Sequence, residues 1–234
     1  MILIICALKL EAKPFLDALE HRKVEKTGDL KVYHGEICDS SVIIGRCGVG
    51  ALKAADTTRS LIDKYDISHI IMSGTAGGID RTLRIGDTVV SEEILFHDES
   101  YKMLSRDGNT GVNTTYNVHP SLLDNIKKAI SEDPPAHPVC FGRITTGRKF
   151  VARKDFDSIS GKYDPLCADM ESAAVANVAC EYDIPFFAVR SISDNAGKPG
   201  IGTFFKNASL ASMHSFIVAS RTLKTLENAQ HKYT

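Results

Sequence analysis

The 234-residue chain has no tryptophan and only six cysteines. The absence of tryptophan decides nothing about fold or function. The cysteines, at positions 6, 38, 47, 140, 167 and 180, form no Cys-x-x-Cys pair, and most lie in apolar segments. This pattern disfavours a metal site or a disulfide framework, so we interpret the cysteines as small, reduced core residues.

Long apolar runs and an excess of one charge are also missing. No segment approaches the roughly 20 apolar residues that span a bilayer. The N-terminal MILIICAL is short and continues into LysLeuGlu rather than a small-residue cleavage site. Because 28 Lys and Arg balance 29 Asp and Glu, no basic stripe is available to neutralise phosphates. We therefore expect a cytoplasmic protein with no membrane or nucleic-acid partner.

Apolar, β-prone runs alternate with amphipathic stretches along the chain, and 43% of the residues are hydrophobic. Periodicity predicts strands in MILIICAL, KVYHGEIC, SVIIGRCG, HIIMSGTAGG, DTVVSEEILFH, PVCFGRITTG and IPFFAVRSISD. It predicts helices in LEAKPFLDALEH, ALKAADTTRSLIDKY, HPSLLDNIKKAIS, DMESAAVANVACEY and residues 204–227. The alternation predicts one three-layer α/β/α domain over residues 1–234, with a mixed, twisted central sheet and a frayed tail at 228–234.

Three segments are expected to form turns at the carboxyl ends of strands, where ligands bind in such sheets. They are the segment around Glu11, the glycine turn SGTAGG (73–78) and the SISD segment that ends at Asp194. The polar stretch at 102–117 is predicted to be a long loop, of a length that is usually functional or disordered.

Acidic side chains at strand ends and helix starts are the candidates for chemistry. Glu11 and Asp169 each also fit an ordinary first-turn helix carboxylate. Glu171 enters a helix of small apolar residues and needs a partner, and ribose hydroxyls are suitable donors. Asp194 follows a buried strand, where burial raises a carboxyl pKa as a general acid near neutral pH requires. A salt bridge from Arg190 to one of these acids is the structural alternative.

Two glycine- or aromatic-containing motifs are weaker when taken alone. GVGALKA (48–54) superficially resembles a dinucleotide fingerprint, but it lacks the third glycine, and Asp66 follows Gly50 too closely, so we expect no cofactor there. In GRKFVAR (147–153), Phe150 can stack on a base and the Val151 backbone can pair with it, although a core phenylalanine is the simpler local interpretation.

Taken together and in this order, ICALKLEA, RCGVGALKAA, SGTAGG, IGDTVVSEE with FHD, GRKFV, DMES and AVRSISD resemble the 5'-methylthioadenosine/S-adenosylhomocysteine nucleosidases of the nucleoside phosphorylase superfamily. The resemblance implies a nucleoside phosphorylase-like fold and a homodimer. It implies hydrolysis of the N-glycosidic bond of 5'-methylthioadenosine or S-adenosylhomocysteine to adenine and a 5-thio-substituted ribose. No metal or organic cofactor is implied.

The resemblance also implies a role for each matched residue. Glu11 matches the acid that activates the attacking water, and Asp194 matches the acid that protonates adenine N7. Glu171 matches the acid that binds the ribose hydroxyls. The other implied contacts are Met170 beside the sugar, Arg190 beneath Glu171, Ser193 beside the N7 acid, Phe150 and Val151 at adenine, and Val49, Ala76 and Gly77 around the sugar pocket and water site.

Two departures from the family pattern leave questions open. Bacterial members often have Glu where this chain has Asp169, whereas plant-type relatives have Asp, so ribose contacts from this position stay undecided. Residues 100–117 lack the aromatic pattern by which a neighbouring subunit often closes the 5′-substituent pocket, and Tyr101 and Tyr116 are the possible substitutes.

Three alternatives remain at this point. A nucleoside phosphorylase would need converging arginines for phosphate. Here Glu11 occupies the first turn and SGTAGG has no arginine, although Arg46 and Lys9 keep that possibility open. A futalosine-type nucleosidase would share the ribosyl chemistry. A noncatalytic nucleoside-binding protein would have no need for Glu11.

Overall fold

The computed structural model describes residues 1–28, 30–98, 115–197 and 200–229. Their elements, in chain order, are β1 (Ile2–Cys6), α1 (Lys9–Ala18), β2 (Glu20–Thr27), β3 (Leu30–Ile37), β4 (Ser40–Arg46), α2 (Ala51–Ile62), β5 (His69–Gly78), β6 (Thr88–Phe96), β7 (Thr115–Asn117), α3 (Pro120–Glu132), β8 (Val139–Thr146), α4 (Arg153–Tyr163), β9 (Cys167–Asp169), α5 (Ser172–Glu181), β10 (Phe186–Asn195) and α6 (Gly200–Ala229).

The strands form one mixed sheet, part of which closes on itself. β5 pairs parallel with β10, and β10 pairs antiparallel with β6. β6 pairs parallel with β8, β8 pairs parallel with β9, and β9 returns antiparallel to β5. These five strands make a closed ring. From β5 the sheet continues outward through β1, β4, β3 and β2, and the short β7 pairs with β6.

Helices cover both faces of the sheet, so most of its strands are buried on both sides. Side chains alternate between the two faces along a strand. In β1, Leu3 and Ile5 join the core that α2 and α5 cover, whereas Ile4 joins Phe15 in the core that α1, α3 and α6 cover. The continuous apolar runs of the sequence match strands that are buried on both faces. The predicted single-domain, three-layer α/β fold is confirmed.

Several predicted element boundaries were wrong. The proposed glycine turn at 73–78 is the second half of β5, because β10 and β9 pair with it as far as Gly78. The proposed turn ending at Asp194 is likewise part of β10. The DMES segment spans the end of β9, and α5 begins only at Ser172. The last helix extends over Gly200–Ala229, so it includes residues predicted to fray. Residues 230–234 of that predicted tail lie outside the described residues.

The predicted loop at 102–117 is only partly described. Its last three residues form β7, whereas residues 99–114, including Tyr101, lie outside the described residues. The hydroxyl of Tyr116 donates a hydrogen bond to Asn177 Oδ1 at 2.9 Å, and Tyr116 is only 6% exposed. Tyr116 therefore packs within its own chain and is not presented to a neighbouring subunit. None of the helices in the described ranges is long and apolar enough to cross a membrane.

Candidate active site

A cavity of about 390 Å³ opens beside the carboxyl ends of β1, β5 and β10. The predicted site residues that line it are Glu11, Val49, Ala76, Gly77, Phe150, Val151, Met170, Glu171, Ser193 and Asp194. Arg190 is the exception: it lies beneath the cavity floor and is completely buried. The sheet thus brings together residues that are far apart in the sequence.

Glu11, in the first turn of α1, is held by four hydrogen bonds and is 2% exposed. Its Oε2 accepts from the backbone N–H groups of Ala7 at 3.0 Å and Leu8 at 2.9 Å. Its Oε1 accepts from the backbone N–H and the hydroxyl of Thr75, both at 2.8 Å. An ionised carboxylate offers about four lone-pair positions, so all are occupied. Only the Thr75 hydroxyl can rotate away without moving the backbone.

Gly74 explains how a carboxylate and a guanidinium fit against β5. A Cβ at this position would lie 2.6 Å from Glu11 Cδ and 2.7 Å from Arg190 Nη1, closer than real Cβ contacts. The Gly74 N–H donates to Ser215 Oγ of α6 at 3.0 Å rather than to the cavity. The role of this glycine is therefore to leave space for charged side chains, and not to present its N–H to a ligand.

Glu171 and Arg190 form the buried floor of the site together with Asp169. Glu171 Oε1 accepts from the Gly50 N–H at 2.9 Å, and its Oε2 lies 3.4 Å from Arg190 Nη2. Arg190 Nε makes a shorter contact, 2.8 Å, with Asp169 Oδ2. The alternative of a salt bridge thus applies to Asp169 and Glu171. Burial raises the pKa of Glu171 to about 7; Arg190 opposes this shift, and the charges of Asp169 and Glu11 add to it.

Asp194 is 2% exposed near the end of β10, where Gly77 of β5 is its pairing partner. A Cβ on Gly77 would lie 3.3 Å from Asp194 Oδ2, so this glycine also keeps space beside an acid. Burial raises the pKa of Asp194, and the hydrogen bond from Ser193 Oγ at 2.8 Å partly opposes that shift. A carboxyl in these surroundings holds a proton to higher pH than it would in water.

The opposite wall of the cavity is aromatic. Phe150 is 46% exposed and packs edge-to-face on Phe204, with the ring centroids 5.9 Å apart. This exposure argues against the interpretation of Phe150 as a core residue. The carbonyl of Val151 accepts from the Gly197 N–H at 3.0 Å and keeps a second lone pair.

Sequence reasoning missed several groups that the site uses. Thr75 was inside a motif selected for its glycines, and nothing local links it to Glu11. Gly50 was considered only as part of a cofactor motif, whereas its N–H orients Glu171 from a backbone with φ of 107°. Phe204, Phe205 and Lys149 also line the cavity. The contacts of Thr75 with Glu11 and of Gly50 with Glu171 join distant parts of the chain, so no spacing in the sequence could reveal them.

Comparison with known proteins assigns the chain to a superfamily. The family model described as the phosphorylase superfamily matches residues 1–224. That match extends from β1 into α6 and includes every residue of the cavity wall discussed above. The match to the phosphorylase superfamily therefore covers both the fold and the residues that line the cavity.

Closer relatives narrow the class. A 5'-methylthioadenosine/S-adenosylhomocysteine nucleosidase of Bacillus cytotoxicus is 30% identical over 230 residues, 97% of this chain and 99% of the relative. A structure from Borrelia burgdorferi B31, assigned to the same nucleosidases and bound to adenine, has a TM-score of 0.87 at 30% identity and covers 96% of this chain and 99% of that chain. The S-adenosylhomocysteine nucleosidase of Streptococcus pyogenes, in complex with 5-methylthiotubericidin, has a TM-score of 0.86 at 28% identity and covers 96% of both chains. The chain belongs to the 5'-methylthioadenosine/S-adenosylhomocysteine nucleosidase family of the phosphorylase superfamily.

Proposed function

We propose that this chain hydrolyses the N-glycosidic bond of 5'-methylthioadenosine, S-adenosylhomocysteine or both, and releases adenine. The observation that carries the proposal is that Glu11, Glu171 and Asp194, which are distant in sequence, line a single cavity beside Phe150. Adenine and a methylthio nucleoside analogue in the related structures support the choice of substrate.

Departure of adenine requires a proton, because adenine leaves poorly as an anion. Asp194 is suited to deliver it to N7, since burial raises its pKa and keeps it protonated at higher pH. Ser193 fixes its Oδ1 at 2.8 Å, which leaves Oδ2 beside Gly77 to carry the proton. Neutral adenine is then the leaving group.

The ribosyl fragment becomes positively charged as the bond breaks, as in glycoside hydrolysis. Around the cavity floor, the carboxylates of Glu11, Asp169 and Glu171 outnumber the single guanidinium of Arg190. A fixed negative balance in a site shielded from water stabilises such a cation without reorganisation. Glu171 in addition accepts from the ribose hydroxyls.

Glu11 takes a proton from the attacking water. Because all four of its lone-pair positions are occupied, one donor has to leave before it can accept from the water. The Thr75 hydroxyl is the donor that can rotate, and in doing so it can accept a hydrogen bond from the same water. Thr75 thus holds the base in place and then makes room for the nucleophile.

The remaining residues bind the substrate in this proposal. Phe150 stacks on adenine and the Val151 backbone pairs with its edge. The sugar and its 5′ substituent contact Val49, Ala76, Gly77 and Met170, while Ser193 orients the N7 acid. No metal or organic cofactor takes part.

Phosphorolysis is the alternative that the cavity charges oppose. Among the described residues that line the cavity, Lys149 is the only cation, against the carboxylates of Glu11, Asp169 and Glu171. A phosphate dianion placed near these carboxylates would be repelled. Neither Arg46 nor Lys9 lines the cavity.

The deciding experiment measures release of the free base, adenine from 5'-methylthioadenosine, S-adenosylhomocysteine and adenosine and hypoxanthine from inosine, each with and without phosphate. We expect adenine and the free 5-thio-substituted ribose from the first two, unchanged by phosphate, and no turnover by Glu11→Gln, which should still bind adenine. Accumulation of a ribose 1-phosphate would identify a phosphorylase. Turnover of futalosine in place of these substrates would identify the other nucleosidase type, and binding without turnover would identify a noncatalytic protein.

We further propose a cytoplasmic homodimer. Two apolar side chains that line the cavity are strongly exposed, at 45% for Val49 and 72% for Phe205, and Leu52 in α2 is 62% exposed. A second subunit would remove them from water, since contiguous exposed apolar surface marks interaction sites. Sedimentation equilibrium should give twice the chain mass, and fractionation should recover the protein with cytoplasmic markers.

A further inference from the structure

We propose that Asp169 is a positioning residue that holds Arg190 through Nε and so keeps Glu171 only loosely paired, rather than a ligand of the ribose. The inference rests on the proposed function, in which ionised Glu171 accepts from the ribose hydroxyls. Asp169 lies at the end of β9, two residues before that acid.

The lone pairs of Asp169 are fully used inside the protein. Its Oδ1 accepts from Thr146 Oγ1 at 2.6 Å and from the N–H groups of Glu171 and Ser172, both at 3.2 Å. Its Oδ2 accepts from Arg190 Nε at 2.8 Å and from the Ser172 hydroxyl. Five donors exceed the about four lone-pair positions of a carboxylate.

Burial supports the same conclusion. The Asp169 side chain is 1% exposed, although the residue as a whole touches the cavity wall. A ribose hydroxyl would therefore have to displace an existing donor to reach either oxygen. Glu171, by contrast, accepts one short bond from Gly50 and a long contact from Arg190, so it retains accepting capacity.

Two of the five bonds fix the backbone that carries the site. By accepting from the N–H groups of Glu171 and Ser172, Asp169 closes the turn that presents Met170 and Glu171 to the cavity. The Thr146 hydroxyl fastens the same turn to β8 and also accepts from the Ala173 N–H at 3.0 Å. Asp169 thus sets where Glu171 stands.

The two bonds at Asp169 Oδ2, from Arg190 Nε and from the Ser172 hydroxyl, hold the guanidinium of Arg190 between two carboxylates. The guanidinium directs Nε toward Asp169 at 2.8 Å and reaches Glu171 with Nη2 at 3.4 Å. Ser172 bridges the first pair, since its Oγ accepts from Arg190 Nε at 3.2 Å and donates to Asp169. Without the Asp169 charge, Glu171 would be the only described carboxylate within ion-pair distance of Arg190 and would pair with it more tightly.

The pKa of Glu171 depends on how Arg190 is shared between Asp169 and Glu171, so it can be used to test the arrangement. Charged or titratable groups face it from Asp169 on β9, Arg190 on β10, Glu11 on α1 and Cys47 after β4. Its pKa is raised to about 7 by burial first, against the effect of Arg190, with Asp169 and Glu11 adding to the rise. Since Glu171 acts ionised, kcat/KM should fall as the pH drops below that pKa. We call this fall at low pH the acid limb of the kcat/KM profile. Loss of the Asp169 charge should lower the pKa of Glu171 and so move the acid limb to lower pH.

The test compares Asp169→Asn with Asp169→Glu in the full chain. Asp169→Asn keeps the shape but removes the charge and places an amide N–H₂ or an uncharged oxygen opposite Arg190 Nε. We expect a loss of kcat/KM and a downward shift of the acid limb by about 1–3 pH units, the range produced by removing a nearby charge. Asp169→Glu retains the charge and should keep the limb at its wild-type pH. Should Asp169→Asn not fold, the Glu variant carries the test: a shifted limb would overturn the proposal.

Ser172→Ala is the matched control, because it removes the bridging hydroxyl and leaves both charges. It should lower Tm without moving the limb. An unchanged Kd for adenine would show that Asp169→Asn is folded. If the acid limb of its kcat/KM profile then stays at the wild-type pH, the proposal is overturned. Carbon-13 NMR of the glutamate carboxyls, assigned with Glu171→Gln, follows the same titration without turnover. Failure of the wild type to release adenine would therefore defeat the proposed function and leave this inference testable.

Discussion

Gly74→Ala provides the sharpest test of the site geometry, because the added atom would touch both charged partners at once. The new Cβ would lie 2.6 Å from Glu11 Cδ and 2.7 Å from Arg190 Nη1, whereas ordinary contact begins near 3.4 Å. The acid or the strand therefore has to move by about 0.8 Å. Because Glu11 is fixed by backbone N–H groups on one side and by Thr75 on the other, the move would displace the proposed base from the position of the attacking water.

The expected cost follows from that displacement. Misplacement of a catalytic group by about 1 Å can lower the rate by about 100-fold, which corresponds to about 2.7 kcal/mol of transition-state stabilisation. Overpacking should also lower the free energy of unfolding by about 1–3 kcal/mol. We expect the loss in kcat to exceed the change in KM, since Phe150 and the adenine wall lie elsewhere in the cavity.

The assay is steady-state adenine release, measured beside urea unfolding of the same samples. Gly161→Ala in α4 is the matched control, because a Cβ there meets nothing within 4 Å. It should keep wild-type kinetics and stabilise the helix by about 0.5–1 kcal/mol. Wild-type kcat in Gly74→Ala would refute the argument that close packing on this glycine sets the position of the base.

Three further predictions address the acid, the base-binding wall and the hydroxyl beside Glu11. Asp194→Asn should lower kcat for 5'-methylthioadenosine by about 100-fold or more but should harm a nitrophenyl riboside far less; equal losses would show that Asp194 only holds the site together. The proposed mechanism requires protonated Asp194, and burial raises the pKa of this carboxyl, so wild-type kcat should decline as the pH rises through that pKa, and this basic limb should vanish in the Asn variant. Phe150→Ala should raise the adenine Kd by about 5- to 150-fold, from about 1–3 kcal/mol of stacking; lost thermal stability with an unchanged Kd would contradict the stacking role. Thr75→Val should lower kcat by about 10-fold or more through loss of a hydrogen bond to a charged group, Thr75→Ser should restore it, and equal activity of Val and Ser would contradict the gating role.

The layered fold was predictable because its signal is local. Buried strands such as β1 and β5 are short apolar runs, and the helices have amphipathic stripes. The segments that were missed have no such signal: five of the eight residues of β2 are charged, and it is a strand because β3 pairs with it. Likewise, the residues at 73–78 contain turn-forming glycines, but pairing with β10 and β9 extends them as a strand.

The acids that line the cavity were also singled out in the sequence, Glu171 and Asp194 because a carboxylate next to an apolar run is costly unless it has a use or a partner, and Glu11 because of the family resemblance. Their partners were not. Glu11 is held by Thr75, which is 64 residues away, and Glu171 by Gly50, which is 121 residues away. Such contacts depend on sheet order and on which strand faces which helix, and neither property is encoded in the spacing of residues along the chain.

The closed ring of strands leaves the sheet with one long free edge among the described residues, namely β2. Unpaired backbone groups along an edge can recruit another chain and begin aggregation, and charged side chains, lysine above all, prevent this. The sequence of β2, EHRKVEKT, has an exposed side chain at nearly every position, with Val24 as its one large apolar residue. The charge run that concealed this strand from sequence analysis thus protects solubility. Replacing Lys23 and Lys26 with valine should leave the cavity intact but make concentrated protein self-associate.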